Sequence, residues 1–293
     1  MKTPILGIVA CLVLAALAAA EAQDIHIKAR FFEVPKGTLC GSGGILEEFG
    51  KNTGGTNQAG QLVEILTAEN AVATMRMLES QSGFEELAEP EVTTISGRQT
   101  GMRATEVVIV TNLVITEGLD SLSDSITPQV ERVDIGPLVD VVPNALADGY
   151  TIGLKSVASL TEFLGYHSLT NGYGTTNQTV AVNSAGQRID LPTISPAFAI
   201  REARANIKLW DGQTVVLGGM GGMKARFFDG GKWVNTEPDY FRKAKAAEGK
   251  PNDQDKELLV FITVTLVDPV GNRIHSDDEV PFSHNSIPPQ VGP

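Results

Sequence analysis

Residues 25–34 alternate strictly, with Ile25, Ile27, Ala29 and Phe31 on one side and His26, Lys28 and Arg30 on the other, which predicts a half-buried strand. Pro35 and the Gly/Asn/Thr-rich run 37–60 interrupt it as a loop. One helix is expected over Ala68 to Ser82, with Thr67 as N-cap, Val72, Met75 and Leu78 as its apolar stripe and Gly83 closing it. From there on the signals are β. Glu91 to Ser96 and Glu106 to Thr116 are rich in Val, Ile and Thr, with a tight turn at Ser96-Gly97-Arg98-Gln99. In Val133 to Pro143, Val133, Ile135, Val139 and Val141 share a face opposite Asp134 and Asp140, and Asp148-Gly149 turns the chain into Tyr150, Ile152 and Leu154. Glu117 to Gln129 and Ser168 to Gln187 read as polar loops. In Ile194 to Trp210 the apolar parity switches from Ile194, Phe198 and Ile200 to Ala203, Ala205, Ile207 and Leu209, which implies a bulge or a change of neighbours. Asp211-Gly212 leads into Thr214 to Gly218, and Glu257 to Val267 places Leu258, Val260, Ile262, Val264 and Leu266 on one face. The expected fold is mainly β with one or two helices.

Two features fix the expected compartment. Lys2, the apolar run Ile5 to Ala20 and the small-residue site Ala20-Glu21-Ala22 read as a secretory signal peptide cut before Gln23. A lipobox-like order at Ile8-Val9-Ala10-Cys11 is the competing reading, but the apolar run continues beyond Cys11. No later stretch reaches the roughly 18 apolar residues that a spanning helix needs, so any membrane span would be built from strands. The implied division is 1–22 signal peptide, 23–60 first strand and loop, 61–270 main β domain and 271–293 polar tail.

Composition narrows the function further. With 23 basic and 35 acidic side chains the net charge is -12, which argues against binding nucleic acid or anionic headgroups electrostatically. His26, His167, His275 and His284 are scattered, without metal-ligand spacing. The cluster Gly218 to Lys224 fails as a phosphate loop because Met223 precedes the lysine and Ala225 follows it. Ser42, in Cys40-Gly41-Ser42-Gly43, lacks the spacing of a nucleophile elbow. The pairs Glu47-Glu48, Glu85-Glu86 and Asp277-Asp278 are sequence neighbours that point to opposite faces in extended structure. No catalytic residue, cofactor or metal site is expected, and the chain does not read as an enzyme.

Several segments, in order, resemble the secretin homology domain of the bacterial outer-membrane secretins of type II and type III secretion and type IV pilus systems. Ile27-Lys28-Ala29-Arg30-Phe31-Phe32-Glu33-Val34 is similar to the opening strand, and Leu87-Ala88-Glu89-Pro90 followed by Glu91-Val92-Thr93-Thr94 to the element in which a proline precedes a Thr-rich strand. Asp134-Ile135-Gly136-Pro137-Leu138 through Pro143 looks like the central strand pair. The most specific match is Asp211-Gly212-Gln213-Thr214-Val215-Val216-Leu217-Gly218-Gly219-Met220, and Leu258 to Thr263 resembles the last strand.

The resemblance implies a structural motif at Pro90, Gly136, Pro137, Pro143, Asp211, Gly212, Gln213, Gly218 and Gly219; Gly218 and Gly219, following the Thr214 to Leu217 strand, are expected to serve backbone geometry at a sharp reversal rather than a ligand. It also implies strands contributed to an oligomeric double-walled β-barrel, a homo-oligomeric ring working with other secretion or pilus components at the outer membrane or in the periplasm. The inner gate would lie over Val110 to Pro128, with Glu117, Asp120 and Asp124 at a polar tip. This sequence departs from the family at Phe227 to Asp255, where Lys232, Arg242, Lys243, Lys245 and Lys250 with several acids replace a Pro- and Leu-rich segment joined to the membrane-facing lip. Val264 stands where a proline is common, and a mature chain starting near residue 23 leaves no room for the family's preceding ring domains. A second reading therefore stands beside the channel: a periplasmic binding or assembly module with the same fold and no open pore.

Overall fold

The computed structural model describes residues 23–35, 62–116, 125–168, 178–182, 188–192, 194–218, 224–229, 232–236, 256–276, 279 and 286–290. The expected signal segment, the stretch holding Cys40 and Ser42, Gly219, Asp277-Asp278 and His284 lie outside the described residues.

The first sheet is built on β1 (Asp24–Pro35) and β15 (Lys256–Val267), which run antiparallel from Asp24 opposite Val267 to Pro35 opposite Lys256. On the far side of β15 follow β12 (Thr214–Gly218) and β2 (Leu62–Leu66). On the far side of β1 lie β3 (Glu85–Ala88) and β4 (Glu91–Ile95). Pro90 sits between these last two, where a missing N–H costs nothing, and its carbonyl accepts the Ala29 N–H at 2.9 Å.

The second sheet runs β14 (Lys232–Thr236), β13 (Lys224–Asp229), β11 (Ile194–Trp210), β8 (Thr151–Ser168), β7 (Ser125–Ala145) and β5 (Thr100–Arg103), and β6 (Glu106–Thr116) also pairs with β7. β9 (Gln178–Val182) and β10 (Arg188–Pro192) form a separate hairpin. The two sheets face each other across one core. Ile25, Ile27, Ala29, Phe31, Val260, Ile262 and Val264 from the first meet Val139, Val141, Ile152, Leu154, Ala203, Ile207 and Leu209 from the second. The alternation read in the outer strands is this burial of one face.

The helix α1 (Ala68–Glu79) covers the other side of the first sheet, over Phe32, Leu66, Val216, Leu259 and Phe261. Thr67 caps it as expected, its Oγ1 accepting from Asn70 N at 3.3 Å. The expected stripe holds at Leu78 and, half-buried against this core, at Met75, but not at Val72. Ala71, Thr74 and Leu78 are buried, whereas Val72 is 53% exposed. The small Ala71 and Thr74 thus share the buried face, which a ranking by hydrophobicity misses. The helix also stops at Glu79, with Ser80 as its cap; Gly83, at φ +88°, belongs to the turn beyond.

Two expected loops are shorter than their polarity suggested. β7 begins at Ser125, and Gln178 to Val182 is a strand, because in both cases an antiparallel partner supplies the pairing that an isolated polar segment lacks. The parity switch expected in β11 falls after Ile200, where the described pairing with β13 ends, while Ala197, Ala199, Arg201, Ala203 and Ala205 stay buried on one parity; the bulge between Ala197 and Phe198 is a separate feature, in which β8 holds the extra residue Leu164.

One polar group under α1 conflicts with its surroundings. Glu64, opposite Val216 in β2, is 2% exposed, and its Oε1 has no hydrogen-bond partner among the described residues. Burial raises its pKa from 4.5 to about 7. The folded chain thus holds this proton to a higher pH than the unfolded chain, so stability falls as pH rises from about 4.5 through about 7. In urea titrations Glu64→Gln should match the parent near pH 4 and exceed it by roughly 3 kcal/mol above pH 7. A pH-independent difference would contradict a buried, protonated carboxyl.

Candidate functional site: the fork in the second sheet

Gly136, Thr161 and Ile200 stand in one row across β7, β8 and β11, and at this row the second sheet divides. From Gly136 to Ala145, β7 pairs with β8; from Ser125 to Ile135 its partner among the described residues is β6. The register on the outer side of β7 does not change across the division. Arg103 opposes Leu138, Ala104 N donates to Pro137 O at 3.0 Å, and Glu106 opposes Ile135. One arm of the fork is therefore the β6–β7 hairpin and the other is β8, β11, β13 and β14.

Gly136 makes the division possible. Its φ is +116°, and a Cβ there would lie 2.7 Å from the Ala104 carbonyl oxygen and 3.2 Å from Thr105 Cα. Pro137, buried beside it, gives up no ladder donor, and its carbonyl carries the bond to Ala104. Further along the second arm Gly165, at φ +98°, accompanies the bulge at Leu164. Phe163 packs on Phe198 at 5.3 Å and on Tyr166 at 5.7 Å between ring centroids. Between the arms, Thr111 N donates to Tyr166 Oη at 2.9 Å.

The hairpin arm leaves apolar side chains in solvent. Val107, Ile109 and Val130 are 58%, 61% and 67% exposed, and the register places all three on one face. Val110, on the opposite face, is fully buried. Of the expected gate residues, Val110 is thus inside, Pro128 is in β7 opposite Leu113, and Glu117, Asp120 and Asp124 lie outside the described residues.

In the crotch of the fork is an open cleft of about 610 Å³ lined by Glu33, Glu85, Glu106 and Glu162 among others. Its acidity is compensated from below. Arg201, 5% exposed, puts Nη2 at 2.7 Å from both Glu33 Oε1 and Glu162 Oε2. Lys256 Nζ reaches Glu33 Oε2 at 3.1 Å and Glu85 Oε2 at 2.7 Å. Burial works against the Arg201 charge, but Glu162 and Glu33 outweigh it and hold its pKa above the usual arginine value. Lys256 is likewise raised, first through its bond to Glu85. The network ties β1, β3 and β15 of the first sheet to β8 and β11 of the second, directly beneath the division. The sequence did not bring these residues together, although a charge at position 201, in the inward parity of Ala203 and Ala205, was a usable signal. Among the described residues no group of three or more His, Cys, Asp or Glu is placed to hold a metal ion, and the cleft holds no nucleophile paired with a base.

The Asp211-Gly212-Gln213 segment sits at the opposite end of β11. Asp211 is buried, its Oδ1 accepting from Leu266 N at 2.8 Å and its Oδ2 lying 3.0 Å from His275 Nδ1. Gly212, at φ +83°, donates to Val264 O at 2.9 Å. Gln213 Oε1 accepts from Trp210 N at 3.0 Å. The His275 ring packs on Tyr150 at 4.4 Å. The motif clasps the β11–β12 turn onto β15. Pro143 is buried in β7, where its carbonyl accepts from Gly97 N at 2.7 Å, and Gly218 is a paired strand residue opposite Leu62.

A family model described as secretin, bacterial type II and III secretion system protein, matches residues 77–225, just over half of the chain and including the fork. The chain belongs to the secretin family. Solved structures similar to it include the enterotoxigenic Escherichia coli pilotin–secretin complex AspS–GspD, at 12% identity and TM-score 0.34, over 92% of this chain and 55% of that one. The Salmonella SPI-1 type III injectisome secretin InvG aligns at 12% identity and TM-score 0.29, over 90% of this chain and 67% of that one. The V. cholerae type IV competence pilus secretin PilQ aligns at 12% identity and TM-score 0.33, over 90% and 66%. The chain spans just over half the length of the first of these. No curated protein matches.

Proposed function

We propose that this chain is a ring-forming subunit of a channel through which proteins or pilus fibres cross the outer membrane, exported after removal of residues 1–22 and doing no covalent chemistry. Family membership supports the secretion or pilus role. The observation that carries the channel reading is the fork. A two-stranded hairpin is marginal on its own in water, yet this one projects beyond the sandwich with Val107, Ile109 and Val130 uncovered, as an arm awaiting neighbours would. Closing many such arms into a double-walled barrel removes the sheet edges and satisfies the backbone in lipid. The hairpin, from Val110 to Pro128, would form the inner gate, its tip carrying Glu117, Asp120 and Asp124 in a water-filled lumen. Charge facing lipid costs free energy near the midplane, roughly 2–4 kcal/mol for Lys or Arg and less for Asp or Glu.

The test is negative-stain imaging of the detergent-extracted protein together with conductance in planar bilayers. Rings with a lumen are expected, and deletion of 119–125 should leave the rings intact while raising conductance several-fold. Particles without a lumen would favour the binding or assembly module, and intact rings of unchanged conductance would remove the gate assignment.

A further inference from the structure

Along β11, β8 occupies one edge throughout, whereas among the described residues β13 pairs on the other edge from Ala197 to Ile200. At the far end of that second edge the ladder positions are taken by side-chain amides. Gln290 accepts the Lys208 N–H through Oε1 at 2.9 Å and donates from Nε2 to the Lys208 carbonyl at 2.8 Å. These are the two bonds that a residue of an antiparallel partner strand would make. Two residues on, the Trp210 N–H is met by Gln213 Oε1 at 3.0 Å, and Gln213 Nε2 donates to Ser286 O at 2.9 Å. The tail segment 286–290 is itself anchored. Ile287 packs against the sandwich core, Pro288 is buried, and Pro288 O accepts a second bond from Gln290 Nε2 at 2.9 Å.

We propose that residues 286–290 are a strap that blocks β-strand addition by a second copy of this chain at the Lys208–Trp210 end of β11. An uncovered strand edge is a template for pairing with another chain, and strand addition gains its affinity from main-chain bonds of the kind that Gln290 already satisfies. The strap cannot propagate a sheet in its turn, because Pro288 and Pro289 offer no N–H. Pairing between copies is thereby confined to other edges. A local staple would produce the same hydrogen bonds but no effect on association, which separates the two roles.

The experiment uses the full chain in mild detergent, as parent and as Gln290→Ala, and reads two quantities. Amide exchange at Lys208 should accelerate at least tenfold, and self-association by light scattering should tighten about fivefold or more. In case the substitution disturbs folding, a chain ending at Asn285 is mixed with a synthetic peptide of residues 286–293. The peptide should restore Lys208 protection and reverse the added association, and the same peptide carrying Gln290→Ala should do neither. Faster exchange with unchanged association would reduce the strap to a staple and overturn the proposal, as would unchanged exchange at Lys208. The outcome is independent of the channel reading, which is decided by whether the parent forms rings.

Discussion

Arg201→Met should lower the stability of the sandwich by about 3–5 kcal/mol, the cost of breaking a buried ion pair from one side. The guanidinium bridges Glu33, whose side chain is 9% exposed, and Glu162, which is 35% exposed. Methionine fills most of the volume but leaves Glu33 buried with Lys256 as its remaining cation, at 3.1 Å. Arg201 Nη1 is already without a partner among the described residues, so the arrangement is not an optimised one. That makes a second expectation sharper. The double variant Arg201→Met with Glu33→Gln should recover a large part of the loss, because the uncompensated charge goes with it, whereas Glu162→Gln alone should cost about 1 kcal/mol or less given its exposure. Urea unfolding of the three variants measures all of this. A cost below about 1 kcal/mol for Arg201→Met would mean that the network does not hold the two sheets together beneath the fork.

Much of the sandwich was legible because burial of one face writes itself into alternation. β1, β15 and the segment around Val139 and Val141 were found by period alone, and the Asp148-Gly149 turn by its residues. What escaped was set by partners distant in sequence. Gln178 to Val182 lies within a mostly polar stretch and β7 begins within another, and pairing with a neighbouring strand extends both. The buried face of α1 takes in the small Ala71 and Thr74 and leaves out Val72, which apolarity alone does not show. The Arg201 network joins Glu33, Glu162 and Lys256 from separate strands, so no local spacing announces it. The fork is the clearest case. Gly136-Pro137 stood out as a family-like pair, but that β7 exchanges β8 for β6 at this row, and that a backbone carbonyl blocks any Cβ there, are facts of tertiary pairing.

Gly136→Val should therefore be the most damaging glycine substitution in the second sheet. Two costs add at this position. A β-branched residue at φ +116° sits outside the regions open to it, which costs about 1–3 kcal/mol, and displacing the Ala104 carbonyl from a Cβ at 2.7 Å costs about 1–3 kcal/mol more. Gly165 in β8 separates the two costs, since its φ is +98° but a Cβ there would meet nothing within 4 Å. Gly165→Ala should cost about 1 kcal/mol and Gly136→Ala roughly 2–4 kcal/mol, with valine at position 136 worse than alanine. The location of the damage is as diagnostic as its size. Moving Ala104 and Thr105 breaks the register that β5 and β6 share on β7, so amide protection should fall along β6 and residues 125–135 while β1 and β15 keep theirs. Ring assembly, if it depends on the hairpin arm, should fail in the same variant even where the sandwich remains folded. Equal costs for alanine at positions 136 and 165 would show that the Ala104 carbonyl yields freely, and the fork would then be a soft division rather than one fixed by a single glycine.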